Sequence, residues 1–545
     1  MRVVATLLAM FLFSVAVFAD HPTKPDDRKA VLLDGLGPIH HPVSTKNEEA
    51  QKFFDQGLAL IYAFNHDEAV RSFRRAAELD PDLAMAQWGI ALALGPNYNL
   101  DADSEAAKAA FAASRKARAL AEKAPEDEQA YIQALTKRYS SDPKVDRKKL
   151  GRDYADAMRE LAKRYPDDLD AATLFAESLM NLRPWELWSK DGKPADDTLE
   201  IVATLESVLR RNPDHTGANH YYIHAVEASP SPERALPCAN RLGALAPQAG
   251  HLVHMPSHIF IRVGDYDRAA GVNVTAADAD RKYIERFKVG GPYAMMYYSH
   301  NLHFNAVASA MQGRFADSMK AATRLADHVG PFVKDMPMLE GFLPTTSLVL
   351  VKFHRWDDIL NIPEPDTKLA VTAAIRHYAR GIAFTATGRL KDAEKERDAL
   401  QKIREAVPAD AMYSLRNKVQ DVLTIAIGAL DAKLALTRGE MSLALKLLKE
   451  SAQAEDALNY GEPKDWYIPV RETLGHALML TGTPAAAEMA FRDELERNPR
   501  SGRALFGLRE SLKAQGKESA ARMIDLQFQA AWKNADPKAL SLDDL

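Results

Sequence analysis

Residues 50–81, AQKFFDQGLALIYAFNHDEAVRSFRRAAELDP, decide the fold of this chain. Apolar residues recur at helical spacing on both sides of Asn65 and His66, where the pattern is interrupted. Such spacing places apolar side chains on one face of a helix, and a polar interruption marks a turn. The stretch therefore predicts two antiparallel helices that end at Pro81. One such pair cannot bury its apolar face alone, so it needs neighbouring pairs.

The same features recur along the chain. In the first pair, Ala69 and Ala76 supply small contacts and Phe73 supplies an aromatic wedge. Further copies carry Gly264, Tyr266, Ala269 and Ala276; Gly313, Phe315 and Ala322; Gly388 and Ala393; Gly439 and Ala444; Gly482, Ala487, Phe491 and Pro499; Gly516 and Ala521. This set resembles the tetratricopeptide repeat (TPR) family, whose unit is about 34 residues. The resemblance implies an all-α fold, with helix-turn-helix repeats stacked into a right-handed superhelical solenoid.

The ends of the chain predict its processing and its domains. Arg2, the apolar run to Phe18 and the small residue Ala19 are typical of a cleavable signal peptide. We therefore expect a secreted protein, in the periplasm of a Gram-negative bacterium, with no membrane span in the mature chain. The predicted divisions are a signal peptide at 1–19, an extended lead-in at 20–46, a TPR array with the histidine site at 47–340, C-terminal repeats at 341–535 and a tail at 536–545.

Composition excludes several classes of protein. A net charge of −5 does not fit a nucleic-acid binder, which carries a basic stripe. Cys238 is the single cysteine, so no intramolecular disulfide can form, and its apolar neighbours predict a buried thiol. No haem-attachment or nucleotide-binding signature is present.

Seven of the 16 histidines lie between residues 220 and 303. They are His220, His224, His251, His254, His258, His300 and His303. Spacings of three and four residues place each group on one helical face, and adjacent repeats lie about 8–10 Å apart. In TPR proteins such first-helix positions line the concave groove, so the resemblance implies three neighbouring helices whose imidazoles converge.

Imidazole ligands without a thiolate cluster favour copper or zinc, with iron not excluded. Six or seven histidines can hold two ions with three ligands each. Glu227 and Glu177 lie on the same predicted face and are candidate general bases. Asn219, Asn301, Asn305 and Tyr298 flank the histidines and are candidates to orient the rings or to line a ligand groove.

Longer connections interrupt the repeats at about 98–105, 183–198, 278–299 and 329–341. Inserts in repeat proteins tend to lie on one face, often the binding face. The segment from Trp185 to Trp188 is therefore expected to pack over an edge or to cover the mouth of a site.

Three functions remain open from the sequence. The first is a binding or scaffold protein whose groove holds a transition metal, a protein or peptide partner, or both. The second is a metalloenzyme, an oxidoreductase or hydrolase, although the sequence contains no HExxH motif. The third is a metal-free groove that binds peptides.

Overall fold

The computed structural model describes residues 28–536 and 540–545. Regular secondary structure in these residues is helical, and the only strand-like features described are two isolated bridges, Trp188 with Pro194 and Met412 with Lys418. The all-α prediction is thus confirmed. The predicted signal peptide lies outside the described residues. Within them, no helix has the length and apolar character needed to span a membrane.

Contacts divide the chain into two compact units. The first consists of described residues up to 32 with 41–61 and 66–165, and the second consists of 33–40, 62–65 and 166–545. The predicted boundary at residue 340 does not separate these units. The helices on its two sides, Phe315–Val329 and Thr345–Lys352, pack directly on each other.

The first unit contains the helix pair that the opening stretch predicts. Its helices are α1 (Glu48–Tyr62), α2 (His66–Leu79), α3 (Ala84–Ala93), α4 (Ser104–Leu120), α5 (Glu126–Thr136) and α6 (Arg147–Arg164). The predicted wedge Phe73 is fully buried, and a Cβ on Gly57 or Gly89 would lie within 2.6 Å of its ring. Small residues thus admit the aromatic ring between helices.

The second unit holds the remaining helices. They are α7 (Leu169–Met180), α8 (Thr198–Arg211), α9 (Thr216–Val226), α10 (Leu236–Leu245), α11 (Gly250–His254), α12 (Pro256–Arg262), α13 (Tyr266–Phe287), α14 (Tyr298–Met311), α15 (Phe315–Val329), α16 (Thr345–Lys352), α17 (Trp356–Leu360), α18 (Ala370–Ala386), α19 (Leu390–Ala406), α20 (Val419–Thr437), α21 (Met441–Asp456), α22 (Val470–Leu480), α23 (Pro484–Arg497), α24 (Gly502–Ala514) and α25 (Glu518–Ala531). Consecutive helices pack in pairs, such as α18 with α19 and α20 with α21.

The turns between paired helices carry the predicted glycines. Gly264, Gly313, Gly388, Gly439, Gly482 and Gly516 all have φ between 69° and 77°. This left-handed conformation strains residues with a Cβ, which explains why glycine recurs at these six turns. The resemblance to tetratricopeptide repeats is therefore confirmed at the level of fold.

One predicted connection differs from the structure. Helix α13 continues to Phe287, so the first half of the segment 278–299 is helical, and a π-helical turn at Tyr293–Tyr297 leads into α14. The physical reason is that the second helix of this pair extends its buried face through Ala276, Ala277 and Asp280. The actual connection is only the few residues around Gly290 and Gly291.

Candidate metal centre

Three helical segments of the second unit carry the seven histidines. Helix α9 carries His220 and His224, the consecutive helices α11 and α12 carry His251, His254 and His258, and α14 carries His300 and His303. Helix α12 begins at Pro256, which has no N–H and therefore interrupts the backbone hydrogen bonds between α11 and α12. The three histidines nevertheless keep helical spacing across this interruption. The five histidines of α9, α11 and α12 are at most 2% exposed.

The first triad consists of His220, His224 and His251. One ring nitrogen of each lies within 4.8 Å of the other two. The Nε2 atoms of His220 and His251 are 3.1 Å apart. Nitrogens bound to one zinc ion at about 2.0–2.1 Å in a tetrahedral site are about 3.3 Å apart, so the spacing of this pair is close to that of two ligands.

The second triad consists of His254, His258 and His300. Their ring nitrogens also lie within 4.8 Å of one another, and the Nε2 atoms of His254 and His258 are 2.8 Å apart. His300 approaches from α14, with its ring centroid 4.7 Å from that of His254. The two triads are adjacent, since the ring centroids of His224 and His258 are 5.6 Å apart.

Oxygen acceptors fix the opposite nitrogen of several rings. The Nδ1 atom of His220 is 2.7 Å from the carbonyl oxygen of Tyr62, and that of His254 is 2.7 Å from Oδ1 of Asn273. Because an oxygen of this kind only accepts, Nδ1 carries the proton and donates it. The Nε2 lone pairs of both rings then remain available, which is the arrangement of metal-ligating histidines.

Glu227 connects the two triads. Its Oε1 accepts a hydrogen bond from Nδ1 of His224 at 2.8 Å, and its Oε2 accepts one from Nδ1 of His258. A second carboxylate oxygen, Oε2 of Glu462, lies 3.2 Å from the same Nδ1 of His258. Glu227 and His258 are each 1% exposed, so these ionic contacts are withdrawn from water.

Burial and charge act in opposite directions on this group. Burial alone would raise the pKa of Glu227, but His258 and His224 lower it to about 2. Burial would likewise lower the pKa of His258, but Glu227 and then Glu462 raise it to about 10. For Glu462, burial prevails over His258 and raises the pKa to about 7. In the metal-free chain Glu227 is therefore ionised and pairs with a charged His258, whose Nε2 proton a metal ion would displace.

The other rings of the triads are neutral. Burial lowers the pKa of His220, His251, His254 and His300 well below the ordinary histidine value, and the neighbouring imidazoles lower it further. Neutral imidazole is the form that binds metal. Nδ1 of His251 is buried with no hydrogen-bond partner among the described residues.

Aromatic side chains enclose the first triad. The ring centroid of Phe64 lies 4.6 Å from that of His220 and 5.4 Å from that of His251. The ring of Trp185 lies 5.7 Å from that of His224. Phe64 and Trp185 have φ of 55° and 62°, a left-handed backbone that is strained for bulky residues and that concentrates at functional sites. The expectation that the Trp185 segment covers the site agrees with this contact.

Two predicted site residues lie outside the triads. His303 packs its ring against Phe342 and Tyr467, at centroid distances of 5.6 and 6.1 Å, and belongs to neither group of three. Glu177 accepts a hydrogen bond from Asn181, the residue that follows its helix, and is not among the residues that converge. Of the two candidate bases, Glu227 alone contacts the histidines of the triads, and both of its oxygens are engaged by imidazoles.

The four predicted orienting residues bond elsewhere. Asn219 donates to the carbonyl oxygens of Pro213 and His215, and Asn301 donates to Asp280. Asn305 accepts from Ser309, and the ring of Tyr298 packs on His328. Adjacent helical residues are about 100° apart around the axis, so a residue next to a ligand faces away from it.

The residues that hold the rings come from distant positions. They are Tyr62 through its carbonyl, Asn273 on α13, and Glu462 in the connection that follows α21. Phe64 and Trp185 provide the aromatic contacts. Sequence reasoning missed Tyr62, Phe64, Asn273 and Glu462. No local motif distinguishes them, because each lies on a different helix or connection from the histidine it contacts.

Comparison with known proteins does not identify the function of this site. No known family matches the sequence, and no curated protein is similar to it. Structural similarity extends to human IFIT1 bound to m7Gppp-AAAA (12% identity, 90% of this chain and 91% of that chain, TM-score 0.34). It also extends to yeast Tom70 (12% identity, 88% of this chain and 90% of that chain, TM-score 0.29). A third similar structure is the P58(IPK) TPR domain (12% identity, 86% of this chain and 98% of that chain, TM-score 0.22). These neighbours are tetratricopeptide-repeat proteins, but at such TM-scores they carry no argument about function.

Proposed function

We propose that this chain is a helical-repeat binding protein whose two histidine triads each hold a transition-metal ion. The observation that carries the proposal is the orientation of the rings. In His220, His224 and His254 the Nδ1 proton is directed to an oxygen acceptor, and ring nitrogens of the six histidines converge in two groups of three. Nitrogen donors without thiolates suit copper or zinc, and iron is also accommodated.

We further propose that the protein works outside the cytoplasm, in the periplasm of a Gram-negative bacterium. The support is the signal-like segment at residues 1–19 together with the single cysteine. A periplasmic site for copper or zinc would use imidazole rather than thiolate ligands, since thiols oxidise readily in that compartment.

The second candidate is a metalloenzyme. Three protein ligands per ion leave a fourth position of a tetrahedral zinc site open for water or substrate, which is the coordination of catalytic rather than structural zinc. In that case Glu227 would act as a positioning residue, because both of its oxygens already accept hydrogen bonds from ring nitrogens.

The test is metal stoichiometry of untagged protein after separate reconstitution with copper, zinc or iron. We expect two ions per chain from at least one metal. His220→Gln with His251→Gln should remove only the ion of the first triad, and His254→Gln with His258→Gln only that of the second. His328→Gln is the matched control, since this half-buried ring bonds a backbone carbonyl outside both triads.

Either of two results would contradict the proposal. One is protein that takes up none of the three metals at stoichiometric level although its helicity is native. The other is equal metal content in the wild type and in both double variants. A metal-free protein would leave the groove as a binding surface for a protein or peptide partner.

A further inference from the structure

A cavity of about 1160 Å³ lies in the second unit, outside the triads. Two connections form most of its wall: the insert between α7 and α8, and the segment between α21 and α22. The volume is ample for a small organic molecule, since ligand sites commonly measure about 300–1,000 Å³. Nothing in the proposed metal function uses this space.

Aromatic rings give the cavity its apolar surface. Trp185 and Trp188 line it from the insert, and Tyr460 and Trp466 line it from the opposite segment. The indole N–H of Trp188 already donates to the carbonyl oxygen of Ala225, which fixes that ring in place. Fixed aromatic walls favour a flat or apolar ligand body.

Three of the six carboxylates that line the cavity, Glu186, Asp456 and Asp465, are paired with other side chains. Glu186 pairs with Arg416 at 2.9 Å, and Asp465 accepts from both Ser414 and Asn417 at 2.7 Å. In the same wall, the carboxylate of Asp456 binds Arg497 and Arg471. A cationic ligand would have to compete with these partners for each of the three acids.

Arg262 differs from the other arginines of the wall, Arg416 and Arg497, which pair with carboxylates. It forms no ion pair with any described carboxylate. Its Nη2 donates to the carbonyl oxygen of Ser229 at 3.2 Å, and its guanidinium lies 5.5 Å from the ring centre of Tyr460. Its Nε–H is buried without an acceptor among the described residues, and the same holds for Nε–H of Arg416. The unmatched hydrogen-bond donors of the wall thus include two guanidinium groups and the indole N–H of Trp466.

We infer that this cavity binds a small organic acid, with its carboxylate on Arg262 and an aromatic body between the indole walls. A guanidinium presents paired N–H donors that match the two oxygens of a carboxylate. A bare inorganic anion would satisfy the arginine but would leave the aromatic walls without a partner. The bound acid would lie beside the first triad, because Trp185 contacts both the cavity and His224.

The probe is indole-3-acetate, compared with indole-3-acetamide and inorganic phosphate by calorimetry on the metal-free full chain. We expect the acid to bind at least about tenfold more tightly than the amide, since only the acid forms charge-assisted hydrogen bonds. Arg262→Gln should weaken acid binding by a similar factor. Arg268→Gln is the matched control, because Arg268 lies over the ring of Phe260 and binds Asn240 away from this cavity.

Folding of each variant is verified by circular dichroism, and Arg416→Gln serves as a second variant if Arg262→Gln fails to fold. Equal binding of acid and amide would overturn the inference. So would phosphate that competes as strongly as the acid, unchanged binding in the Arg262 variant, or no binding of the acid at all. The measurement requires no metal, so binding of the acid and loading of the triads succeed or fail separately.

Discussion

The side chain of Glu227 contacts both histidine triads. It binds His224 of the first triad and His258 of the second, and all three are buried. A buried ion pair that loses one partner leaves an uncompensated charge, which costs about 3–5 kcal/mol. The same carboxylate keeps the Nδ1 protons of two ligand rings in place, so its effect reaches both triads.

Glu227→Gln tests this role. We expect the free energy of unfolding to fall by about 3 kcal/mol or more, because the charged His258 loses its main partner. Metal affinity of both triads should fall by about 10- to 100-fold, the usual effect of removing a residue that orients a ligand. Urea unfolding and chelator competition measure the two effects.

Glu494→Gln is the control for that substitution. Glu494 is also buried, and burial raises its pKa to about 8, so the side chain is already neutral near pH 7 and the amide changes little. A Glu227 variant with wild-type metal affinity would show that the carboxylate does not orient the triads.

Asp280 provides a pH test away from the ligands. Burial raises its pKa to about 7, although Tyr293 and Asn301 donate hydrogen bonds to it. A carboxyl whose folded pKa lies above its unfolded value of 3.8 stabilises the fold while protonated. That contribution is present at low pH and is lost as the pH rises from about 4 to about 7.

We therefore expect Asp280→Asn to become more stable relative to wild type across this pH range, by up to an order of 4 kcal/mol. Asn301 can rotate its amide to accept from the new side chain, since its Oδ1 has no partner among the described residues. Urea unfolding at a series of pH values measures the difference. Asp278→Asn, on the exposed side of the same helix, should show no such rise, and a flat difference for Asp280→Asn would refute the assignment.

Helix pairs in this protein pack through glycines that face aromatic rings. In the second unit, Phe491 is buried, and a Cβ on Gly475 or Gly507 would lie 2.3 Å from its ring. This repeats the arrangement of Phe73 with Gly57 and Gly89 in the first unit. The close contact belongs to the pair of helices, because the ring comes from one helix and the glycine from another.

Gly507→Ala is expected to destabilise the protein by about 1–3 kcal/mol, because the added methyl must displace the Phe491 ring. Gly271→Ala is the matched control within a helix. No atom lies within 4 Å of its added Cβ, so the better helix propensity of alanine should stabilise by up to about 1 kcal/mol. Thermal unfolding compares the two, and a neutral Gly507 variant would contradict the packing account.

At the scale of the whole molecule, metal binding should stabilise the folded chain against unfolding. A ligand that binds only the folded chain stabilises it by about 2.7 kcal/mol at 100 times its dissociation constant. With both triads loaded, we expect up to about twice that gain, measured as a rise in Tm by calorimetry. Each double variant of a triad should lose about half of the rise, and an equal rise in all proteins would indicate binding elsewhere.

The sequence by itself determined the repeat architecture and the set of histidines. Helical periodicity, turn glycines such as Gly482 and wedges such as Phe491 are local patterns, and each helix pair forms from residues close together in the chain. The histidine spacing likewise predicts a shared face for His220 with His224 and for His254 with His258, since the spacing of two residues in a helix sets the relative direction of their side chains.

Only the tertiary structure decided how those histidines divide and what holds them. It separates them into two triads, leaves His303 apart, and brings Glu462 to His258 across some 200 residues of sequence. It also joins the two walls of the cavity beside Arg262. Such contacts depend on how successive helices and their connections pack, and packing between distant segments leaves no periodic signal in the chain.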